Sequence, residues 1–176
     1  MRNIVIHADV TETMSSRMQN ALEIGRNFGS HLHFVISSPY QQFIATDPFG
    51  GVYLAQEQLA QAQIKDAELE QSLASVLSEN EVPWNISIAD GSALSSLAQI
   101  ASLSDLVIVS LGARDKKGRA EWTLAADLAM TVPAPVLALP SDSNVIYLQG
   151  SVMIAWNGSS QAARALRAAV PLMKKA

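Results

Sequence analysis

NIVIHADVTET, residues Asn3–Thr13, joins a run of β-branched residues to an aspartate that stops it and a hydroxyl-rich turn. A short apolar run closed by such a turn reads as a buried strand over Asn3–Ala8 that ends at Asp9. Immediately beyond it, Met14, Met18, Ala21, Leu22, Gly25 and Phe28 recur at the spacing of one helical face. Thr11 or Thr13 is placed to cap that helix, and Gly29 to end it in the left-handed conformation. A strand, a polar turn and an amphipathic helix make the first half of a βαβ unit.

The rest of the chain keeps this alternation. HLHFVIS (His31–Ser37) reads as a second strand, and Pro39–Gly51, with Pro39, Pro48, Gly50 and Gly51, as a loop. A helix from about Tyr53 to Asn80 presents Leu69, Leu73, Val76 and Leu77, and Pro83 stops it. Trp84–Ala89 is a third strand. Gly91 then turns the chain, and Ser92 caps a helix with an inner face of Leu94, Leu97, Ala98 and Ala101. DLVIVSL (Asp105–Leu111) is the most continuous apolar run and reads as a central strand. Gly112–Arg119 is a polar loop, Ala120–Thr131 a helix, and APVLAL (Ala134–Leu139) a last strand closed by Pro140. Strands separated by single helices require parallel crossovers, hence an α/β doubly wound sheet.

Composition sets the boundaries. The 176 residues are 49% hydrophobic and 16% charged, with a net charge of −4 and no cysteine. This suits one domain with a real core and excludes a disordered chain, a disulfide scaffold and any thiolate-bound metal. No apolar run approaches the roughly 18 residues of a spanning helix, and no signal peptide precedes the first strand, so a cytoplasmic protein without a membrane partner is expected. Mild acidity without a basic cluster argues against nucleic acid. The charge is uneven: residues 151–176 hold Arg164, Arg167, Lys174 and Lys175 and no acid, a charge of +4, which leaves −8 on the first 150.

That basic tail repeats the opening. A shift of 148 residues sets Val152–Ala155 (VMIA) on Ile4–His7, Asn157 on Asp9 and Ser159 on Thr11. It also sets Ala162 on Met14, Leu166 on Met18, and Ala169 and Val170 on Ala21 and Leu22. The expected organisation is one complete unit over residues 1–142, then a linker and the first strand and helix of an incomplete second repeat over 143–176. Such a half-unit cannot bury its own apolar face, so the basic tail is expected to pack on an acidic body, within or between chains.

These residues resemble the universal stress protein family. The strand ending in Asp with its hydroxyl-rich turn (IVIHADVTET, Ile4–Thr13) is similar to the family's opening, and VMIAWNGSS (Val152–Ser160) to the opening of a second repeat, with Asn for Asp. ADGSALSSLAQIASLSDLVIVSLGA (Ala89–Ala113) resembles the family's Gly-turn, helix and following strand, and APVLALP (Ala134–Pro140) its closing strand. The resemblance spans essentially the whole chain and looks like a tandem member cut short early in its second repeat. It implies a Rossmann-like, five-stranded parallel sheet in the order 3-2-1-4-5, helices on both faces, and a nucleotide site where the order reverses.

In ATP-binding members the resemblance places G-x-x-G, nine residues, then Gly-Ser or Gly-Thr after strand four, so that backbone N–H groups can cradle phosphates. Gly112 matches the first glycine, but Asp115 stands at the second. Counting forward puts Ala125–Ala126 at the Gly-Ser position, and counting back from Pro135 puts Trp122–Thr123 there. Neither register restores the motif. The implied crevice comprises Asp9, Val10, Ile36, Gly112, Asp115 and Thr123, with ATP or AMP as candidate ligands. Lys116, Lys117, Gly118 and Arg119 form either an anion contact or a solvated loop. Asp9 has two readings that can both hold, a neighbour of adenine and a cap on the first helix.

Other chemistries have less support. His31 and His33 share a strand face and His7 lies on the adjacent strand, but no carboxylate or cysteine at ligand spacing accompanies them. Ser37, Ser38 and Ser110 stand at strand ends without a recognisable triad or nucleophile elbow. No general base or metal pair points to a hydrolase or transferase. The expected function is a non-catalytic stress-response module, homodimeric through Ala134–Leu139, with a degenerate nucleotide site; the alternative is an adenine-nucleotide binder with weak or no hydrolysis.

Overall fold

The computed structural model describes residues 1–46, 52–112, 123–141 and 145–175. The opening run forms β1 (Asn3–Ala8), followed by α1 (Met14–Phe28) and β2 (His31–Ser38). β3 (Ile44–Thr46), β4 (Val52–Leu54), α2 (Gln56–Ser78), β5 (Trp84–Asp90), α3 (Ala93–Ala101) and β6 (Leu106–Ser110) come next. α4 (Thr123–Thr131), β7 (Val136–Leu139) and α5 (Ser160–Met173) complete the described elements. Five strands form one sheet in the order β5-β2-β1-β6-β7, all parallel, which is the expected 3-2-1-4-5 counted along the chain.

β1 lies at the centre, with Ile4 opposite Leu32 on one side and Leu106 on the other. Its alternation divides the core. Ile4, Ile6 and Ala8 meet Met14, Met18, Ala21, Leu22 and Ile24 of α1, while Val5 joins Leu97, Ala101 and Leu128 on the opposite face. Ile4, Ile6, Phe34 and Ile108 are fully enclosed, and each stabilises the fold by about 1.5–3 kcal/mol relative to exposure. Burial on both faces is why these strands read as continuous apolar runs.

Two glycines shape α1. A Cβ on Gly25 would come within 2.9 Å of Val82 Cγ1 and 3.3 Å of a Leu32 methyl, so glycine lets the helix approach β2 closely. Gly29 ends the helix at φ 60°, the predicted left-handed residue. Thr13 holds the N-cap position without capping an amide; its hydroxyl is engaged elsewhere.

Several expectations need correction. The Pro39–Gly51 loop contains a 3₁₀ turn over Tyr40–Phe43 and strand β3, which pairs antiparallel with β4, so α2 begins at Gln56 and not near Tyr53. Val76 is 38% exposed: only Leu73 and Leu77 of α2 are buried, because the helix covers the sheet with its last turns alone. Val152–Ala155 forms no strand. It is exposed, and among the described residues no neighbouring strand supplies the ladder that a parallel strand needs.

The rest of the tail is tied down. The Ile146 amide donates to Asn20 Oδ1 at 2.6 Å, Leu148 is buried, and Ile146 and Leu172 pack against the core on the α1 side. Lys175 Nζ lies 5.7 Å from the centre of the Phe28 ring. The turn before α5 repeats the turn before α1. Asn157 Oδ1 accepts from the Ser159 amide at 3.0 Å, and Asp9 Oδ1 accepts from the Thr11 amide at 3.0 Å.

Candidate functional site

After β1 the chain moves outward through β2 to β5, and after β5 it returns to the other side of β1 as β6. The loops leaving β1 and β6 therefore part in opposite directions, and a crevice opens at their carboxyl ends. Asp9 stands there because β1 ends at Ala8. Its Oδ1 accepts from both the amide and the hydroxyl of Thr11, an Asx-type turn that starts the approach to α1.

Asp9 Oδ2 meets a residue that the sequence reading passed over. Arg17, on the inner face of α1, is 2% exposed and donates Nη1 to Asp9 Oδ2 at 3.1 Å. The same nitrogen donates to the His7 carbonyl at 2.6 Å, Nε donates to Ser110 Oγ at 2.9 Å, and Nη2 donates to Thr13 Oγ1 at 3.0 Å. One guanidinium thus ties the end of β1, the first turn of α1 and the end of β6 into a single knot. The signal was present: Arg17 falls within the stripe Met14, Met18 and Ala21, where a lone arginine must find buried partners.

The electrostatics follow. Burial alone would push the Asp9 carboxyl up; the Arg17 guanidinium, the Thr11 bonds and His7 outweigh it and hold the group below its ordinary value. Burial lowers Arg17 against the pull of Asp9, and it remains a cation at neutral pH. His7 is lowered to about 4, chiefly by burial, with Arg17 adding to the shift and Asp9 opposing it. The imidazole is therefore neutral at pH 7, and its 3.3 Å approach to Asp9 Oδ2 is a dipole contact, not an ion pair.

The predicted crevice residues separate. Asp9 and Val10 lie at the end of β1, Val10 being 82% exposed. Gly112 lies half-buried two residues after β6. Ile36, opposite Ala8, is 2% exposed within the core and offers no surface to a ligand. Thr123 is the first residue of α4, while Asp115 and the Lys116–Arg119 segment lie outside the described residues. Ser37 Oγ, at the end of β2 just beyond the Ala8–Ile36 pair, is buried without a hydrogen-bond partner among the described residues. Ser38 and Tyr40 instead donate their hydroxyls to Asp66 Oδ2, which fastens β2 to α2.

The histidines do not gather. Val5, not His7, stands opposite His33, and His33 Nε2 is 2.8 Å from Ser87 Oγ. Among the described residues no group of three potential ligands could hold a metal. A groove of about 350 Å³ lies at the other end of the sheet, between α5 and Met1, Asp105 and Pro135. Asp105 there accepts the amides of Arg2 and Asn3, a structural clamp. Strand order and not concavity therefore locates the candidate site.

No family model and no curated protein sequence matches the chain. Solved structures do. The universal stress protein from Archaeoglobus fulgidus is 14% identical, with a TM-score of 0.60 over 78% of this chain and 98% of its own. UspA from Lactobacillus plantarum is 12% identical, with a TM-score of 0.61 over 78% and 97%. The chain has the universal stress protein fold. A universal stress protein family protein from Arabidopsis thaliana, solved with AMP bound, shares that fold at 12% identity, with a TM-score of 0.52 over 80% of this chain and 92% of its own. Within the universal stress protein fold of this chain, the knot of Arg17, Asp9 and Ser110 lies where the strand order reverses. Among the described residues no helix is long and apolar enough to cross a membrane.

Proposed function

We propose that the chain is a non-catalytic module of the universal stress protein type, with residues 1–142 as its complete unit and 143–176 as the start of a second. Its crevice takes an adenine nucleotide through the base and has lost most of its grip on phosphate. The observation that carries this reading is the state of Asp9. Its carboxylate stands at the switch point, but Arg17 and Thr11 already occupy its oxygens, so it positions the loop and leaves limited capacity for a ligand. The Ser37 hydroxyl, buried without a partner among the described residues, lies at the same strand ends. AMP in the Arabidopsis protein supports the ligand class. Asp115 and the missing glycines argue against tight phosphate binding, since a carboxylate repels the anion that a glycine would admit.

The non-catalytic part rests on the same geometry. Ser110, one of the hydroxyls in the knot, accepts from the Arg17 cation, and among the described residues no hydrogen bond joins it to a general base. The module acts as a homodimer, the surface suggested by the family resemblance being Ala134–Leu139.

Calorimetric titration and thermal shift with adenosine, AMP and ATP test the ligand. All three are expected to bind within tenfold of one another. At 100 times its dissociation constant each should add about 2.7 kcal/mol of stability. ATP binding a hundredfold tighter than adenosine would overturn the lost phosphate grip. No shift with any of the three at millimolar concentration would overturn the nucleotide reading.

A further inference from the structure

Asp66 interrupts the inner face of α2. Leu59, Ala62, Leu69, Leu73 and Leu77 recur there at helical spacing, and Asp66 fills the position between Ala62 and Leu69. A carboxylate on such a face needs donors. The Ser38 and Tyr40 hydroxyls both donate to its Oδ2. Oδ1 accepts no hydrogen bond among the described residues, and no described cation pairs with the group. Nor is Oδ1 sealed in. Asp66 is half-buried, and the buried side-chain atoms without a partner among the described residues are Ser37 Oγ and Ser96 Oγ. One oxygen is thus fastened and the other is open to a donor from outside. Asp9 differs, because Arg17 neutralises it.

The carboxylate stands at the carboxyl end of β2. Ser38 closes that strand, and Tyr40 is pinned at two points: its amide donates to Asp90 Oδ1 at the end of β5 at 3.0 Å, and its hydroxyl to Asp66. Burial first, and the bond to Asp66 next, raise the Tyr40 hydroxyl above its ordinary value, so it keeps its proton as a donor. β2 and β6 flank β1 on opposite sides. Neighbouring strands lie about 4.8 Å apart, so the ends of β2 and β6 are roughly 10 Å from each other across Asp9, a distance that a nucleotide spans. The phosphate turn implied by the family resemblance follows β6 at Gly112, which leaves the base to the β2 side. A carboxylate suits that end, since it accepts from N–H groups and repels phosphate.

We propose that Asp66 Oδ1 selects the base of the bound nucleotide, accepting from the 6-amino group of adenine and rejecting a base with a carbonyl oxygen at that position. Ser38 and Tyr40 hold the carboxylate in one orientation, so the acceptor is set before the ligand arrives. A site built to accept an N–H discriminates against an analogue that lacks it, because the acceptor is then left unpaired or faces a second oxygen. The inference rests on the adenine-nucleotide reading above and names the group that enforces it.

Calorimetric titration of the full chain with adenosine, inosine and purine riboside tests it. Inosine carries a 6-carbonyl oxygen and purine riboside no group at that position. Wild type is expected to bind adenosine at least tenfold tighter than either. In Asp66→Asn the amide oxygen takes the Ser38 and Tyr40 bonds and the amide nitrogen presents a donor, so inosine is expected to bind at least as tightly as adenosine. Binding of none of the three to wild type overturns the nucleotide reading and this assignment together. Adenosine and purine riboside binding wild type alike overturn the assignment alone, and that comparison needs no variant to fold. Equal weakening of adenosine and inosine by Asp66→Asn, with their ratio unchanged, also overturns it and leaves Asp66 as a fastening between β2 and α2.

Discussion

Replacing Arg17 with methionine should destabilise the protein by about 3 kcal/mol, since removing one partner of a buried ion pair typically costs about 3–5 kcal/mol. The lower end applies because the Asp9 side chain keeps 22% of its exposure and both Thr11 bonds, so its charge is not left bare. Three further acceptors, the His7 carbonyl and the hydroxyls of Ser110 and Thr13, lose a cationic donor. Methionine replaces the unbranched stem of the lost side chain out to about Nε, so packing around the stem changes little. For a chain of this size the loss corresponds to a fall in melting temperature of roughly 6–12 °C. Urea denaturation at pH 7 reads it directly. Adding Asp9→Asn to Arg17→Met removes the stranded charge, and the double variant should be about 1–2 kcal/mol more stable than Arg17→Met alone. An Arg17→Met protein within about 0.5 kcal/mol of wild type would refute the idea that this knot holds the switch point together.

The same cluster gives a pH dependence with a definite sign. The folded pKa of His7 lies near 4, below its ordinary 6.5, so the unfolded chain binds the proton more readily between those values. Stability is therefore full above 6.5 and falls as pH drops toward 4, by at most about 3 kcal/mol from this group. Asp9, also lowered, extends the loss to more acid pH, and His33 adds to it in the same direction as His7. His7→Gln should flatten the profile between pH 6.5 and 4 in urea titrations; an unchanged slope would show that His7 is not the source. Gly29→Ala should lose about 1 kcal/mol, from the left-handed backbone alone, since nothing lies within 4 Å of the added carbon. Thermal denaturation measures it, and a neutral result would mean that the α1–β2 turn relaxes freely.

Asp9 does not cap α1: Thr13 holds the N-cap position, and Asp9 Oδ1 accepts from Thr11 ahead of the helix. A strand-ending aspartate beside an open crevice would be an unpaired negative charge facing any phosphate. Arg17 neutralises it from beneath, while Thr11 fixes the oxygen that faces the turn. The pair is locally neutral, so neither repulsion from Asp9 nor attraction from Arg17 extends far into the crevice. A ligand bound as proposed would gain hydrogen bonds and little net charge attraction from this pair. This is the physical reason to expect adenosine and ATP to bind alike.

How much could be read in advance depended on whether neighbours were implied by the pattern itself. β1, β2 and β6 were legible because both-face burial writes a continuous apolar run, and Gly29 because a left-handed residue needs glycine. The family resemblance implies Ile36 as a crevice residue, yet its position two residues after Phe34 sends it into the core on the same face. Arg17 was missed because periodicity counts apolar positions and is blind to a buried cation satisfied by carbonyls and hydroxyls. Val152–Ala155 makes the point most sharply. Its residues repeat β1, and the turn after it repeats the Asp9 turn down to its hydrogen bond, yet only the turn and helix form. An Asx turn and a capped helix close on local bonds, whereas a parallel strand exists only where two neighbours stand ready.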